Sequence, residues 1–321
     1  MKRRTLIKRS ALVGLAGTLP ALLGEACATP APRTDAPGRA AARPAQAPPS
    51  PLGQRGASAL PAAFVVARDA EVLDFTGPLE VFAGAYTPEG QPLFAPYVVA
   101  ERATPVRVGG AMQGLPDYTF GTAPQPKVIV IPAMRLEDIT PTMCDWLRTA
   151  SSATELTMSV CNGAFALAKA GLLDGRAATA HHGAYFRFAG MFPKVRLQRG
   201  ARFVEDGGFA SSGGISSGID LALRVVERYL GTDATLELAD GMEYQGDGWR
   251  DAGSNDAYAR LPLLTGDPPR CPVCLAPVDR TLAATHRNAT YYFCSREDRD
   301  FFAEHTATFD QFLDEDARRP A

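Results

Sequence analysis

From Ala62 onward, short apolar runs alternate with segments whose apolar residues recur every three or four positions. That is the pattern of βαβ units wound around a mainly parallel sheet. Strands are predicted at Ala63–Ala67, Tyr97–Ala100, Val128–Ile131 and Leu156–Val160, with a shorter one at Ala177–Ala180. Val128–Ile131 and Leu156–Val160 are largely apolar or β-branched runs, as expected of central strands covered on both faces. Helices are predicted at Pro78–Ala85, Pro141–Thr149, Gly163–Leu173 and Ser217–Leu230. In the last, Ile219, Leu223, Val226 and Leu230 fall on one face.

The first 61 residues break this pattern. A basic start, an apolar run from Ala11 to Leu23 and small residues at Ala26 and Ala28 mark residues 1–28 as an export signal. Arg3-Arg4-Thr5-Leu6-Ile7-Lys8 resembles a twin-arginine motif, which implies export of a folded chain to the periplasm. Lipid anchoring at Cys27 is the alternative, although Gly24-Glu25-Ala26 fits a lipobox poorly. The apolar run falls short of the roughly 18 residues a membrane span needs. Residues 29–61, rich in Ala and Pro, carry too few large apolar side chains to fold and read as an extended spacer.

A chain of 321 residues with 46% hydrophobic content has room for one large domain and a smaller one. The boundaries predicted are 62–240, a connector at 241–269 and a small Cys-rich α+β module at 270–317. A net charge of -2, with 33 basic residues scattered among 35 acidic ones, lacks the footprint that phosphate contacts demand. No nucleic-acid partner is expected.

Candidate chemistry concentrates where Leu156–Val160 runs into Cys161-Asn162-Gly163-Ala164. A side chain at such a turn stands at the C-terminal edge of the sheet, where open α/β sheets place ligands. The following helix N-terminus favours thiolate over thiol, so Cys161 is expected to be a nucleophile of lowered pKa. Gly163 allows close approach at the turn. The plainer alternative is a buried, unreactive cysteine. Asp74, ahead of Thr76-Gly77-Pro78, reads by itself as a helix cap. His181 follows a strand and is either structural or a base for the cysteine.

Ser159-Val160-Cys161-Asn162-Gly163-Ala164-Phe165, followed by Ala170-Gly171-Leu172-Leu173-Asp174-Gly175-Arg176, resembles the elbow of the ThiJ/PfpI family. Leu73-Asp74-Phe75-Thr76-Gly77-Pro78, Ala178-Thr179-Ala180-His181 and Gly214-Ile215-Ser216-Ser217-Gly218-Ile219-Asp220 agree in order, over roughly residues 62–231. The nearest subgroup is that of isonitrile hydratases and of the amidotransferase-like domains linked to AraC-type regulators. The resemblance implies a flavodoxin-like three-layer α/β sandwich. It implies Cys161 as nucleophile, Asp74 as the acid hydrogen-bonded to it, a small-molecule substrate or ligand, and a homodimer. The cysteine chemistry needs no cofactor. Three positions depart from the pattern, one being His182, which stands where relatives have a Trp and changes the pocket wall. Asn162 replaces the Thr or His that follows the nucleophile in relatives; it can donate to a developing anion but cannot act as a base. Pro132-Ala133-Met134 replaces paired glycines, leaving the Ala133 amide as the donor for an oxyanion.

In the C-terminal module, Cys271-Pro272-Val273-Cys274 and Tyr291-Tyr292-Phe293-Cys294-Ser295 resemble a YHS domain. A Cys-x-x-Cys knuckle with a third cysteine at a strand end presents a face of soft sulfurs suited to zinc or copper. Asp298 occupies the place where relatives carry another Cys or a His, and His286 and His305 are alternative nitrogen donors. A Cys271–Cys274 or Cys274–Cys294 disulfide is the competing outcome outside the cytoplasm. A thioredoxin-type redox role lacks its usual helix setting. Cys144 falls within the helix at Pro141–Thr149 and is given no role.

Three functions remain open on the sequence. One is an exported hydratase or hydrolase acting on a small carbon–nitrogen substrate through Cys161, Asp74, Asn162 and His181. The second is a small-ligand or metal-sensing protein. The third is protection against oxidative stress through a sulfenic acid at Cys161.

Overall fold

The computed structural model describes residues 51–53, 58–262 and 264–319. The segment predicted to be an export signal, 1–28, and most of the predicted spacer lie outside these. A seven-stranded sheet organises the large domain. It is built from β1 (Leu60–Val65), β2 (Phe94–Ala100), β5 (Tyr118–Thr119), β6 (Val128–Ile131), β7 (Leu156–Val160), β10 (Phe203–Asp206) and β11 (Phe209–Ser212). Two small pairs flank it: β3 (Val106–Val108) with β4 (Met112–Gly114), and β8 (Ala177–Ala178) with β9 (Arg196–Leu197). The order across the main sheet is β10-β11-β7-β6-β1-β2-β5, and every pairing is parallel except that of β10 with β11.

The two-residue period of a strand sends alternate side chains to opposite faces. In β1, Ala62 and Phe64 pack with α1 (Val72–Ala83) and α5 (Ser217–Leu230) on one face. Ala63 and Val65 enter a second core on the other face, with Leu147 of α2 (Pro141–Ser151) and Phe165 of α3 (Ala164–Lys169). Val128 and Val130 belong to the first core, and Ile129 and Ile131 to the second. Both parities are apolar because both faces are covered, which is the three-layer α/β sandwich.

Several boundaries differ from the sequence pattern. β1 begins at Leu60, inside the segment assigned to the spacer, because Leu60 buries against the first core. The helix expected to start at Pro78 starts at Val72, so Pro78 lies within α1, not at its first turn. α3 stops at Lys169, and Gly171 then turns with φ 75°. In this arrangement Asp74 is not a cap: the cap position is Glu71, and no side chain bonds there.

The C-terminal module consists of the hairpin β12 (Asp279–His286) and β13 (Ala289–Phe293), then α7 (Arg296–Glu304) and α8 (Thr306–Arg318). Its core is shared with the large domain. Tyr185 and Phe186 of α4 (Tyr185–Met191) join Cys271, Val273, Phe293, Phe302 and Phe309 in one buried cluster. The Phe186 ring meets those of Phe301, Phe302, Phe309 and Phe312 at centroid distances of 5.4–6.3 Å. The buried Arg199 side chain adds ion pairs to Glu315 at 2.9 Å and Asp316 at 2.8 Å. The connector between the modules also packs inward, burying Trp249 and Asn255. Between Thr232 and Gly241 it is preceded by α6, which lies on α5.

Truncating a fully buried phenylalanine leaves a cavity that its neighbours fill only partly. Phe186→Ala is therefore expected to lower stability by about 3–5 kcal/mol and to expose the segment between the modules to protease. Urea denaturation and mass mapping of limited digests check both. A digest unchanged from wild type would show that the module does not depend on this ring.

Candidate active site

β7 ends at Val160, and Cys161 takes φ 57°, the left-handed region that side chains other than glycine rarely occupy. Its backbone N–H is tied to the Gly213 carbonyl at 3.0 Å, and the chain turns through Cys161–Gly163 directly into α3. Gly163 is required here. A Cβ at this position would stand 2.1 Å from the Ile131 carbonyl oxygen, a backbone atom that cannot move aside. The cysteine thus sits on a strained strand-to-helix elbow at the C-terminal edge of the sheet.

The thiol is not the activated thiolate that the helix terminus alone suggests. Burial pushes its pKa up to about 12, and the Asp74 charge adds to this. The backbone N–H groups of Asn162 and Ile215 point at the sulfur and pull the other way, with less effect. Cys161 is 6% exposed, so the loss of water outweighs two peptide donors and one helix end.

Asp74, in the first turn of α1, is fully buried. Burial raises its carboxyl to about 7, the N–H bond from Ala133 opposes this, and Glu71 adds to it. Ala133 N–H donates to Asp74 Oδ2 at 2.9 Å, while Asp74 Oδ1 has no hydrogen-bond partner among the described residues. This corrects two expectations. No hydrogen bond joins Asp74 to Cys161 among the described residues; the two act on each other through charge. The Ala133 amide is already engaged and is not a free oxyanion donor.

Asn162 and His181 line one cavity of about 170 Å³, together with Met134, Leu136, Phe165 and Arg187. Asn162 Oδ1 is buried without a hydrogen-bond partner among the described residues. His181 Nδ1 accepts from Gly183 N–H at 3.0 Å. Burial and His182 lower the His181 pKa, so the ring is neutral near neutral pH and carries its proton on Nε2. In that tautomer His181 donates a hydrogen bond and does not serve as a base. His182 stacks between His181 and Tyr258, at 4.4 and 4.7 Å.

Val273 and Cys274 of the C-terminal module complete the wall of this cavity, while Cys161 and Asp74 are not among its lining residues. Ligand atoms of Cys271, Cys274, Cys294 and Asp298 all lie within 4.8 Å of one another. Cys274 and Cys294 sulfurs are 3.4 Å apart, and Asp298 Oδ2 is 3.2 Å from the Cys271 and Cys294 sulfurs. Zn–S bonds of about 2.3 Å in a tetrahedron separate sulfurs by about 3.8 Å, so the four donors fit such an ion with small adjustments. Cys271 is lowered to about 7 by a hydrogen bond with Cys274, whose own thiol is pushed up in return. Burial raises Cys294 to about 11. Burial also acts upward on Asp298, but the thiols and Arg187 outweigh it and hold the carboxyl low. His286 and His305 are engaged elsewhere, with Asp310 and with the Phe301 carbonyl.

The DJ-1/PfpI family model matches residues 61–228, just over half of the chain. The chain belongs to the DJ-1/PfpI family. A similar curated relative is an isonitrile hydratase of Pseudomonas putida, 30% identical over 203 residues, which are 62% of this chain and 84% of that protein. The GlxA transcriptional regulator of Rhizobium meliloti is 37% identical over 107 residues, 30% of this chain but only 32% of the regulator. Among solved structures, a ThiJ/PfpI family protein from Pseudomonas syringae superposes with a TM-score of 0.51 at 22% identity, covering 79% of this chain and 90% of that one. That likeness shows the fold alone.

Arg187 was not legible in the sequence as a site residue, nor was the placement of Cys274 against the cavity. The one available signal is a charge inside Tyr185-Phe186-Arg187-Phe188, since a cation within an aromatic run needs a partner.

Proposed function

We propose that this DJ-1/PfpI protein is a cysteine-dependent hydratase of small isonitriles, exported from the cytoplasm, with zinc held by its C-terminal module. The observation that carries the reading is a buried carboxyl, Asp74, whose pKa of about 7 matches a proton-transfer role beside the strained Cys161. The isonitrile hydratase relative supports the substrate class. The signal-like pattern of residues 1–28, a basic start followed by the apolar run Ala11–Leu23, supports the location.

At neutral pH Cys161 holds its proton, so attack requires a proton acceptor. The sulfur forms a bond to the terminal isonitrile carbon while Asp74, as carboxylate, takes the S–H proton and delivers it to that carbon. The product is a thioimidate. Moving a proton from a group at about 12 to one at about 7 costs roughly 7 kcal/mol. The cost falls during the transfer, because protonating Asp74 removes the charge that helps hold the thiol proton. Water then adds across the C=N bond, OH to carbon and H to nitrogen, with Asp74 carrying the proton. Finally the C–S bond breaks, the hydroxyl proton returns to sulfur and an N-substituted formamide leaves. Neutral His181 and the Asn162 carboxamide orient the nitrogen end. The high thiol pKa argues against the peroxide-protection reading, since oxidation follows thiolate character.

Cys271, Cys274, Cys294 and Asp298 would hold the metal. Its chemistry there is structural, stapling a module too small to be stable on its own core. The oxygen donor suits zinc better than Cu(I).

Purified protein incubated with a small alkyl isonitrile is expected to form the formamide, followed by proton NMR, and Cys161→Ala to form none. Equal turnover by the variant would exclude covalent catalysis at this residue. A second reading, a ligand-sensing protein, draws on the engaged Ala133 amide and on the regulator relative. It predicts saturable isonitrile binding with no formamide from either protein.

A further inference from the structure

Arg187 belongs to the large domain, on α4, yet it meets both the cavity and the cysteine cluster. Its guanidinium is ion-paired with Asp298 Oδ1, the oxygen turned away from the sulfurs. The other oxygen, Oδ2, faces the sulfurs of Cys271 and Cys294. The two ends of one carboxylate are thereby divided between a cation from one module and a thiol cluster in the other. Two further contacts and burial hold this arrangement. Ser295 Oγ accepts from the Asp298 N–H at 3.1 Å, the Arg187 guanidinium lies 5.3 Å from the Phe301 ring centroid, and the Asp298 side chain is 6% exposed.

We propose that Arg187 is a positioning residue for metal at the Cys271, Cys274, Cys294 and Asp298 cluster, so that the large domain completes the metal site of the C-terminal module. The inference rests on the metal-binding reading above and adds a residue to it from outside the module. Two physical effects operate. The fork of the guanidinium fixes the carboxylate rotamer, leaving Oδ2 directed at the sulfurs before any ion arrives. Three thiolates and a carboxylate also bring more negative charge than a divalent ion neutralises, and Arg187 offsets part of the excess. Because Arg187 and Cys274 line the same cavity as Asn162 and His181, the metal site and the candidate active site share a wall.

The test is a zinc titration of the reduced full chain in competition with a chromophoric chelator. Outer partners of metal ligands typically contribute 10- to 100-fold in affinity. Arg187→Met is expected to weaken zinc by about that factor, and Arg187→Lys, which keeps the charge without the fork, by less. Glu315→Gln serves as the docking control, since it removes a different ion pair between the same two modules. It is expected to leave zinc affinity unchanged. If Arg187→Met binds zinc as the wild type does, or if Glu315→Gln weakens zinc equally, the proposal is overturned while the metal reading stands. If the wild type itself takes up no zinc, the metal reading fails and this inference with it.

Discussion

Asp74→Asn should abolish isonitrile turnover and at the same time make Cys161 easier to alkylate. The two effects have opposite signs because Asp74 does two things. As a proton carrier it contributes the 10²- to 10⁴-fold typical of general acid–base catalysis, and an amide cannot replace it. As a charge it raises the thiol pKa, and asparagine removes that charge. Above pH 7, where Asp74 is ionised, the variant should react with iodoacetamide several-fold faster than wild type; below about pH 6 the difference should vanish. Peptide mass spectrometry at Cys161 separates this from labelling at Cys144. Equal alkylation rates at pH 8 would show that the two groups are not coupled.

The same variant reports on stability. The Asp74 carboxyl moves from 3.8 to about 7 on folding, so the folded state binds the extra proton between those values. A raised carboxyl gives stability that is complete below about pH 4 and is lost as pH rises through 7, roughly 4 kcal/mol in all. Asn does not titrate. Urea denaturation should therefore show the stability of Asp74→Asn rising relative to wild type from pH 4 to pH 7 and levelling above.

Gly163→Ala is expected to be at least as damaging, through sterics alone. Its added methyl would lie 2.1 Å from Ile131 O and 2.9 Å from Pro132 O. Neither can yield without moving the end of β6, which pairs with β7 through Ile131 and Ser159. Destabilisation of several kcal/mol and loss of the elbow geometry follow. Thermal unfolding should show a marked fall in Tm, and any folded fraction should lack turnover. A variant with wild-type stability would mean that the elbow is looser than this packing allows.

The parts of this picture that the sequence discloses are the local ones. Val128–Ile131 is recognisable because a strand covered on both faces is apolar at both parities, Leu156–Val160 because Leu156, Met158 and Val160 alternate with Thr157 and Ser159, and the elbow because it is a strand end followed by Gly163. The start of α1 is hidden, since no capping side chain marks Glu71 and Pro78 resembles a first-turn proline. The strands Phe203–Asp206 and Phe209–Ser212 are hidden because each is half polar, ending in Glu205-Asp206 and Ser211-Ser212, and shows no apolar run. The chemistry of Cys161 is hidden for another reason: its pKa depends on burial and on Asp74, which chain order does not place beside it. The pairing of Arg187 with Asp298, 111 residues apart, likewise exists only once two modules dock.

At the centre of the account is a buried carboxyl that exchanges its proton near neutrality next to the elbow cysteine. Infrared difference spectroscopy across a pH titration measures this directly, through the carbonyl stretch of protonated Asp74, assigned by its loss in Asp74→Asn. A midpoint near 7 is the expected result. A midpoint near 4 would show an ordinary carboxylate, always ionised at working pH, and would contradict the proton-carrying role given to Asp74.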